Sequence, residues 1–308
     1  MQITPRIKAY LLLLLVSVIW GIASPVIKFT LFGIEPDLFL AYRFAISTLI
    51  SIITFMIVGF KIPKDFKLIG LVLLYGFLNS VVSLGFLFFG MKSTTVLEAG
   101  LITLASPLLV STAGVYFLRE KITKRKIIGM GIAIFGTLLT IIEPIITSSQ
   151  KIEFSGNILI LLYVISTVAT SIIAKKVLRE GVSPLIMTNV SFALGFVCFS
   201  VFLLSKTSFV DIVNTLKSVD ISYHIGVLYM AIISGNLAFF LSNKAQKTIE
   251  IGEQSLFAYL YPIFSLPLAV LWLNEKFSTI YILGGIIITA GVVIAEFKKK
   301  RYNSSSER

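Results

Sequence analysis

Ten apolar runs of about 20 residues each follow one another along this chain, and they constrain its fold more than any other feature. A run of this length, wound into a helix, crosses a hydrocarbon core about 30 Å thick. Because backbone polar groups in lipid must be satisfied within the segment, each run is predicted to be helical. The sequence therefore predicts an all-α integral membrane protein with ten transmembrane helices. These spans 1 to 10 cover approximately residues 9–31, 37–58, 67–90, 95–118, 125–146, 156–177, 184–205, 222–243, 254–273 and 279–297.

The composition supports a surface that faces lipid. Only 14% of the 308 residues are charged, against about 25% in ordinary soluble domains. So few charges cannot cover a water-exposed surface of this size. The single cysteine, Cys198, and the single histidine, His224, exclude a disulfide framework and argue against a His/Cys metal site. We expect neither a metal nor a cofactor.

The basic residues predict the orientation. With the N-terminus inside, 20 of the 27 Lys and Arg residues fall on inner segments and 6 on outer ones, and Arg43 lies within span 2. This bias is the positive-inside pattern, and it predicts a multi-pass protein of the plasma membrane with both termini cytoplasmic. The net charge of +12 therefore belongs to loops and to a basic cytoplasmic tail, 298–308, and does not indicate nucleic-acid binding.

A repeat divides the chain into two halves, 9–146 and 156–297. Each half has five spans, an odd number, so the second must enter the membrane from the opposite side. The loop Arg119–Lys126 carries five positive charges and its counterpart Asn274–Tyr281 one, as inverted repeats require. Lys28 and Pro36 align less clearly, with Lys176 and Pro184, at a shift of 148. At a shift of 155, the matched pairs are Lys92 and Lys247, Glu98 and Glu253, Pro107 and Pro262, Leu118 and Leu273, Glu120 and Glu275, Lys121 and Lys276, Gly129 and Gly284, and Gly136 and Gly291.

These residues resemble a known family. Trp20-Gly21, Pro36 with Arg43, and the doubled Pro…Glu-Lys…Gly pattern are similar to those of EamA-type permeases of the drug/metabolite transporter superfamily. The resemblance covers about 10–297. It implies ten helices around a central cavity that opens alternately to two faces, and export or import of amino acids, metabolites or drugs. The second half departs from the pattern, because no Trp-Gly pair opens span 6 and Asn189 lies near the place equivalent to Arg43.

Arg43 is the costliest residue to place in lipid. An arginine within a span costs roughly 2.5–3.5 kcal/mol on insertion scales, so it is expected to face the bundle or a wet cavity. There it would attract a substrate that carries a carboxylate. The alternatives are a pair with a helix end or a side chain that snorkels to the outer interface.

Four glutamates lie at the ends of spans. Glu98 and Glu253 open spans 4 and 9 at equivalent positions. They are candidates for gating or proton coupling, although Thr95-x-x-Glu98 is also a capping-box pattern. Glu120 and Glu275 precede the next spans and are interpreted as anchors of the turn, or as gates.

Prolines and glycines mark bends and close contacts. Pro107 and Pro262 are predicted to kink spans 4 and 9, either to expose backbone to substrate or to fit the packing. Gly129 and Gly136, like Gly284 and Gly291, are seven residues apart and share a helix face. Small residues allow membrane helices to approach closely, so spans 5 and 10 are predicted to be a scaffold or a dimer contact.

Polar and aromatic side chains within spans give the candidate cavity. An amide in hydrocarbon needs a partner, so these residues are expected to point inward, toward substrate or toward other helices. Their amides, hydroxyls and rings suit a neutral or zwitterionic organic solute. The candidate substrate-binding residues are Trp20, Arg43, Asn79, Ser83, Tyr163, Asn189, Asn236, Gln254 and Tyr259, with Ser80, Ser166 and Ser234 nearby.

The predicted function is secondary transport. No phosphate-binding loop of the G-x-x-x-x-G-K-[ST] type is present, so the chain is not expected to hydrolyse ATP. We expect an exporter of amino acids, metabolites or drugs across the plasma membrane, acting as a monomer or a homodimer. Apart from its small-molecule substrate, the expected partner of the protein is the lipid bilayer. A channel or a non-transporting membrane subunit is the alternative. An intramembrane enzyme is least supported, because no H-E-x-x-H motif or acid pair lies within a span.

Overall fold

A computed structural model describes residues 4–59, 65–120, 123–125, 127–132, 135–136, 139, 154–275 and 279–296. Within these residues all regular elements are helices. Eight of the ten helices named below, all except α7 and α10, are long and apolar enough to cross a membrane. The elements are α1 Pro5–Thr30, α2 Pro36–Val58, α3 Phe66–Ser93, α4 Val96–Leu118, α5 Phe154–Arg179, α6 Pro184–Leu204, α7 Phe209–Ser218, α8 Ile221–Thr248, α9 Ile251–Leu271 and α10 Thr279–Glu296.

The eight long helices correspond to predicted spans 1–4 and 6–9, which confirms an all-helical, multi-pass membrane protein. Span 10 corresponds to α10, which contains a shorter apolar stretch, Ile282–Gly291. Span 5 lies mostly outside the described residues, and its described residues, 125, 127–132, 135–136 and 139, are helical. The tail 298–308 also lies outside them.

The longest predicted loop, 206–221, contains the helix α7, which the sequence analysis did not foresee. Ser208 caps it by accepting the amide of Asp211 at 3.2 Å. Ile212 packs against the main apolar core, whereas Phe209 and Val210 are exposed. A ten-residue amphipathic helix is too short to span a membrane, so the search for long apolar runs passed over it.

Helices α3 and α8 each contain a π-helical segment at Phe77–Ser83 and Tyr229–Leu237. Such segments disturb the regular backbone bonding and are frequent at functional sites. Neighbouring side chains donate to carbonyls at these places. Ser191 donates to the Gly76 carbonyl at 3.4 Å, and Ser47 donates to the Ala231 carbonyl at 3.1 Å. Gly76 and Ala231 are 155 residues apart, so the two irregular segments occupy equivalent places in the two halves.

Helices α4 and α9 are both interrupted. Two turn residues, Leu104 and Ala105, break α4, and a 3-10 turn at Phe257–Leu260 breaks α9. Pro107 and Pro262 lie in the first turn after each break. A proline ring clashes with the carbonyl four residues earlier, so the irregular backbone precedes the proline.

Helices α4 and α9 also cap one another. Glu120, which follows α4, accepts the amides of Ile251 and Gly252 at the start of α9 at 2.9 and 3.2 Å. Glu275, which follows α9, accepts the amides of Val96 and Leu97 at the start of α4 at 2.9 and 3.1 Å. Each carboxylate thus satisfies two donors that a helix start leaves unpaired. Since each helix begins where the other ends, the two run antiparallel.

Two lysines bind helix C-termini in the same paired manner. Lys28 donates to the carbonyls of Met91 and Thr94 at 3.1 and 2.6 Å, at the end of α3. Lys175 donates to the carbonyls of Gln246 and Ile249, at the end of α8. These carbonyls are again 155 residues apart. Lys175 is therefore the counterpart of Lys28, and the predicted alignment with Lys176 is wrong by one residue, since Lys176 is exposed.

The Trp20-Gly21 pair brings α1 against α9. A Cβ on Gly21 would lie 2.7 Å from Phe264 Cβ and 2.9 Å from the Tyr261 carbonyl oxygen. Only glycine permits this approach. The four predicted packing glycines, Gly129, Gly136, Gly284 and Gly291, are all buried.

Candidate functional site

A cavity of about 220 Å³ lies at the centre of the bundle, between α1, α2, α3, α4, α5, α8 and α9. By the same measure, one water molecule needs roughly 10–15 Å³. Both halves of the chain contribute to the wall. The lining residues combine aromatic rings, hydroxyls and amides with apolar groups, which is the composition of a small-molecule site.

Six of the predicted substrate-binding residues line this cavity, and they come from five different helices. They are Trp20, Arg43, Asn79, Ser83, Tyr163 and Gln254. The sequence therefore identified side chains that are distant along the chain and adjacent in space.

Arg43 is completely buried, at 0% exposure, and reaches the cavity from α2. Its guanidinium carbon lies 5.1 Å from the ring centres of both Phe44 and Phe88. None of its three side-chain nitrogens has a hydrogen-bond partner among the described residues. The snorkelling and helix-end alternatives for Arg43 therefore do not describe this structure. Among the described residues this buried charge meets the faces of two aromatic rings and no hydrogen-bond acceptor.

Trp20 ties the cavity wall to the irregular part of α8. Its indole nitrogen donates to the Ser234 carbonyl at 3.1 Å. Its ring packs edge-on against Phe239 and Tyr261, with ring centres 5.1 and 6.0 Å apart. The tryptophan thus contacts both α8 and α9, the two helices of the second half whose backbones are irregular.

Small polar networks fix several cavity side chains. Asn79 donates to Ser191 at 3.1 Å, and Ser80 shares a 2.6 Å bond with the same hydroxyl. Gln254 donates to Ser242 at 2.7 Å. Interhelical hydrogen bonds of this kind were the predicted alternative to substrate contact. Asn79 and Gln254 make such bonds and also line the cavity.

Three other predicted residues lie away from the cavity wall. Asn189 is buried on α6 with no partner for its side-chain nitrogen among the described residues. Asn236 donates to the Ser47 carbonyl at 3.3 Å. Tyr259 lines a second, apolar groove between α9 and α10 together with Pro262. On a membrane helix, polarity marks an inward face but does not say which interhelical space that face meets.

A row of hydroxyls on α5 also lines the cavity and was not among the predicted site residues. Thr167, Thr170 and Ser171 line the cavity below Tyr163, at spacings that place all four on one helix face. This periodicity was a usable signal. The other polar residues missed were hydroxyls or amides in apolar runs, namely Ser24, Tyr75, Thr103, Ser106, Ser242, Asn243, Ser255 and Tyr261.

The gating candidates lie at the ends of the bundle. Glu253 is paired with Arg6 of α1. The amide of Glu98 donates to the Thr95 hydroxyl at 3.0 Å, as in a helix cap, and its carboxylate accepts from Thr94 at 2.7 Å. Neither carboxylate lines the cavity. Both sit at the helix starts that Glu275 and Glu120 cap.

Glu275 is a partly buried carboxylate at one end of the bundle, and its pKa departs from the ordinary glutamate value. Burial raises the pKa of Glu275 above its ordinary value, against the opposing effect of the Val96 and Leu97 amides and of Lys28. Its carboxylate therefore takes up a proton at a higher pH than an exposed glutamate does.

Within the described residues no group of three or more His, Cys, Asp or Glu side chains is arranged to hold a metal ion. Arg43 is the only charged side chain among the described residues that line the cavity. The site thus offers a fixed positive charge, neutral hydrogen-bonding groups and aromatic faces.

Known proteins resemble this chain over most of its length. The chain is 25% identical to a probable amino-acid metabolite efflux pump of Escherichia coli (strain K12), over 94% of this chain and 95% of that protein. It is 27% identical to the protein of the same name from Salmonella typhimurium, over 93% and 94%. A match to the uncharacterized transporter YetK of Bacillus subtilis (strain 168), at 28% identity, covers 70% of this chain and 64% of that protein, less than two thirds of its length.

A solved crystal structure has the same fold. It superposes with a TM-score of 0.70 at 17% sequence identity and covers 93% of this chain and 97% of its own. The model of the EamA-like transporter family matches the chain twice, at residues 7–142 and 154–297. The chain is therefore a member of the EamA-like transporter family.

Proposed function

We propose that this chain is a secondary carrier that moves small organic solutes, such as amino acids or their metabolites, across the plasma membrane by alternating access. The observation that carries the proposal is the central cavity, which is walled by both halves of the chain and bordered by broken or π-helical segments. Irregular backbone at such a place is what membrane carriers use to reach their substrate.

The proposed architecture is two inverted five-helix repeats, 9–146 and 156–297, with both termini and the basic tail 298–308 in the cytoplasm. The reciprocal caps of Glu120 and Glu275, and the matching lysines Lys28 and Lys175, support it. Because equivalent contacts hold the helices at both ends of the bundle, the two halves could exchange conformations and give two related arrangements of the same helices. Alternation between two such arrangements is how a repeat pair exposes one site to two faces.

The proposed direction is export. The names of the Escherichia coli and Salmonella typhimurium relatives describe efflux of amino-acid metabolites. A cavity with hydroxyls, amides and rings is suited to solutes of that size and polarity. The chain is proposed to act as a carrier and not as an enzyme, and to need no cofactor.

Counterflow tests the proposal. Purified protein in proteoliposomes would be preloaded with pooled amino acids and common metabolites, and exchange would be read by mass spectrometry. We expect saturable uptake that is accelerated by solute on the opposite side and weakened by Asn79→Ala. Flux that does not saturate, or that ignores solute on the other side, would indicate a channel. No exchange by folded protein would indicate a non-transporting subunit.

A further inference from the structure

The strongest unexplained feature of the cavity is the unpaired charge of Arg43. Its side chain has 0% exposure, and its three nitrogens have no hydrogen-bond partner among the described residues. Buried charges are ordinarily paired, because an unpaired one loses its hydration without compensation. Arg43 therefore has capacity for an anionic group that is not part of the described chain.

The surroundings of the guanidinium supply no acceptor for its hydrogen bonds among the described residues. The ring centres of Phe44 and Phe88 each lie 5.1 Å from the guanidinium carbon. Both rings contact the charged group, and neither carries a hydrogen-bond acceptor. Gly235 of the π-helical segment is the residue beside Nη2, and a Cβ there would lie 3.4 Å from that nitrogen. A side chain at this position would crowd the donor, and glycine avoids that contact.

The charge balance of the cavity selects the kind of anion. No Asp, Glu, Lys or His is found among the described residues that line the cavity, so Arg43 supplies its whole formal charge. A monoanionic group neutralises that charge. A dianionic phosphate would leave an excess negative charge in a site with no second base, and a purely cationic amine would add to the existing charge.

We propose that Arg43 is the substrate-binding residue that holds the carboxylate of the transported solute, and that the cavity accepts solutes with one carboxylate and rejects cationic amines. A carboxylate matches the planar fork of a guanidinium with two parallel hydrogen bonds. The rest of the solute contacts the hydroxyls, amides and rings of the wall. An ammonium group, where a zwitterion carries one, meets neutral acceptors and aromatic faces such as Trp20.

This inference rests on the proposed function only in taking the cavity as the solute site. It adds to that function that the solutes carry one carboxylate, and it excludes cationic amines. The classes that remain are simple monocarboxylates and zwitterionic amino acids.

The test is binding measured without transport. Purified protein in detergent would be titrated with amino acids, with the corresponding amino acid amides and amines, with simple 2-hydroxy carboxylates, and with inorganic phosphate and chloride. Binding is read from the midpoint of thermal unfolding and from quenching of Trp20 fluorescence in a Trp272→Phe background. We expect at least one carboxylate to bind about 10- to 100-fold more tightly than its amide, the usual loss for a charge-assisted hydrogen-bond pair.

Variants separate Arg43 from general effects. Arg43→Gln should bind acid and amide equally, and Arg43→Lys should retain a weaker preference for the acid. Lys244→Gln removes one exposed positive charge from α8 and should keep the wild-type preference. Equal binding of acid and amide by the wild-type protein would overturn the proposal. So would a preference for amines, a preference for inorganic anions over carboxylates, or an unchanged preference in Arg43→Gln.

The two proposals fail in different ways. Arg43-dependent carboxylate binding without counterflow would sink the carrier proposal and leave the binding inference intact. Counterflow of solutes that lack any anionic group, unchanged in Arg43→Gln, would overturn the binding inference and leave the carrier proposal intact.

Discussion

Glu120 and Glu275 lie 155 residues apart and make the same two hydrogen bonds, each to the first two amides of the broken helix that the other one follows. The pair therefore holds α4 and α9 side by side at both ends, over a length of about 30 Å for a 21-residue helix. Both helices are broken between these anchors. The carboxylates thus fix the ends of two helices whose middle sections border the cavity.

Removal of either anchor should destabilise the fold. Glu120→Ala leaves the amides of Ile251 and Gly252 without their acceptor in a buried place, and Glu275→Ala does the same for Val96 and Leu97. We expect each change to cost about 1–3 kcal/mol. Thermal unfolding in detergent measures this, with Glu180→Ala, an exposed carboxylate after α5, as the control. Unfolding midpoints within the error of this control would show that the caps contribute nothing.

Arg43→Gln should not destabilise the empty protein. The wild-type protein carries the cost of an unpaired buried guanidinium, whereas a neutral amide of smaller size avoids most of it. We expect the midpoint of thermal unfolding without solute to stay the same or rise in Arg43→Gln. A marked fall, with Lys244→Gln unchanged, would show that Arg43 is satisfied by contacts within the protein and is not held for a solute.

Two glycines make a matched pair for the helix contact of α1. Gly21→Ala places a Cβ within 3 Å of Phe264 and of the Tyr261 carbonyl, and overpacking of this kind costs about 1–3 kcal/mol. A Cβ on Gly70, an exposed residue of α3, meets nothing within 4 Å. We expect Gly21→Ala to lower the unfolding midpoint and the transport rate, and Gly70→Ala to leave both unchanged or slightly raised. Equal effects would mean that the α1–α9 approach is not tight.

The raised pKa of Glu275 predicts a pH dependence of stability. Burial disfavours the ionised form, so this residue's contribution is fully present below the ordinary glutamate pKa, about 4.3. It is lost as the pH rises through the raised pKa. The midpoint of the wild-type protein should therefore fall, relative to Glu275→Gln, as the pH rises through that window. A difference between the two proteins that stays constant or grows with pH would contradict the assigned direction.

Proton coupling, if Glu98 and Glu253 provide it, has its own signature. Glu98→Gln and Glu253→Gln would remove the pH dependence of net transport while solute exchange persists, because exchange needs no net proton movement. Paired measurements of counterflow and of pH-driven uptake would separate the two. Unchanged pH dependence in both variants would leave these residues with their structural roles, the Thr95 cap and the Arg6 pair.

The sequence predicted eight of the confirmed spans, the equivalent glutamates and the two prolines because each leaves a local pattern. Apolar length reports a span, and a fixed offset of 155 reports a repeat. The sequence also placed Arg43 and Trp20 at the cavity, because a charged arginine is costly within a span and a tryptophan is bulky there. It could not separate Asn79, which lines the cavity, from Asn189, which does not. Both are amides in apolar helices, and their positions depend on helix rotations that only packing decides. The one-residue error at Lys175 has the same origin, since two adjacent lysines differ only in the direction they face.

Alternating access requires that the cavity open to one side of the membrane at a time. The most direct measurement is the reaction of a single cavity cysteine, Ser24→Cys in a Cys198→Ser background, with a membrane-impermeant thiol reagent added to one face or the other of oriented vesicles. We predict reaction from each face, with a transported solute raising the rate from one face as it lowers the rate from the other. Simultaneous reaction from both faces at rates that solute does not change would contradict alternating access and indicate an open channel.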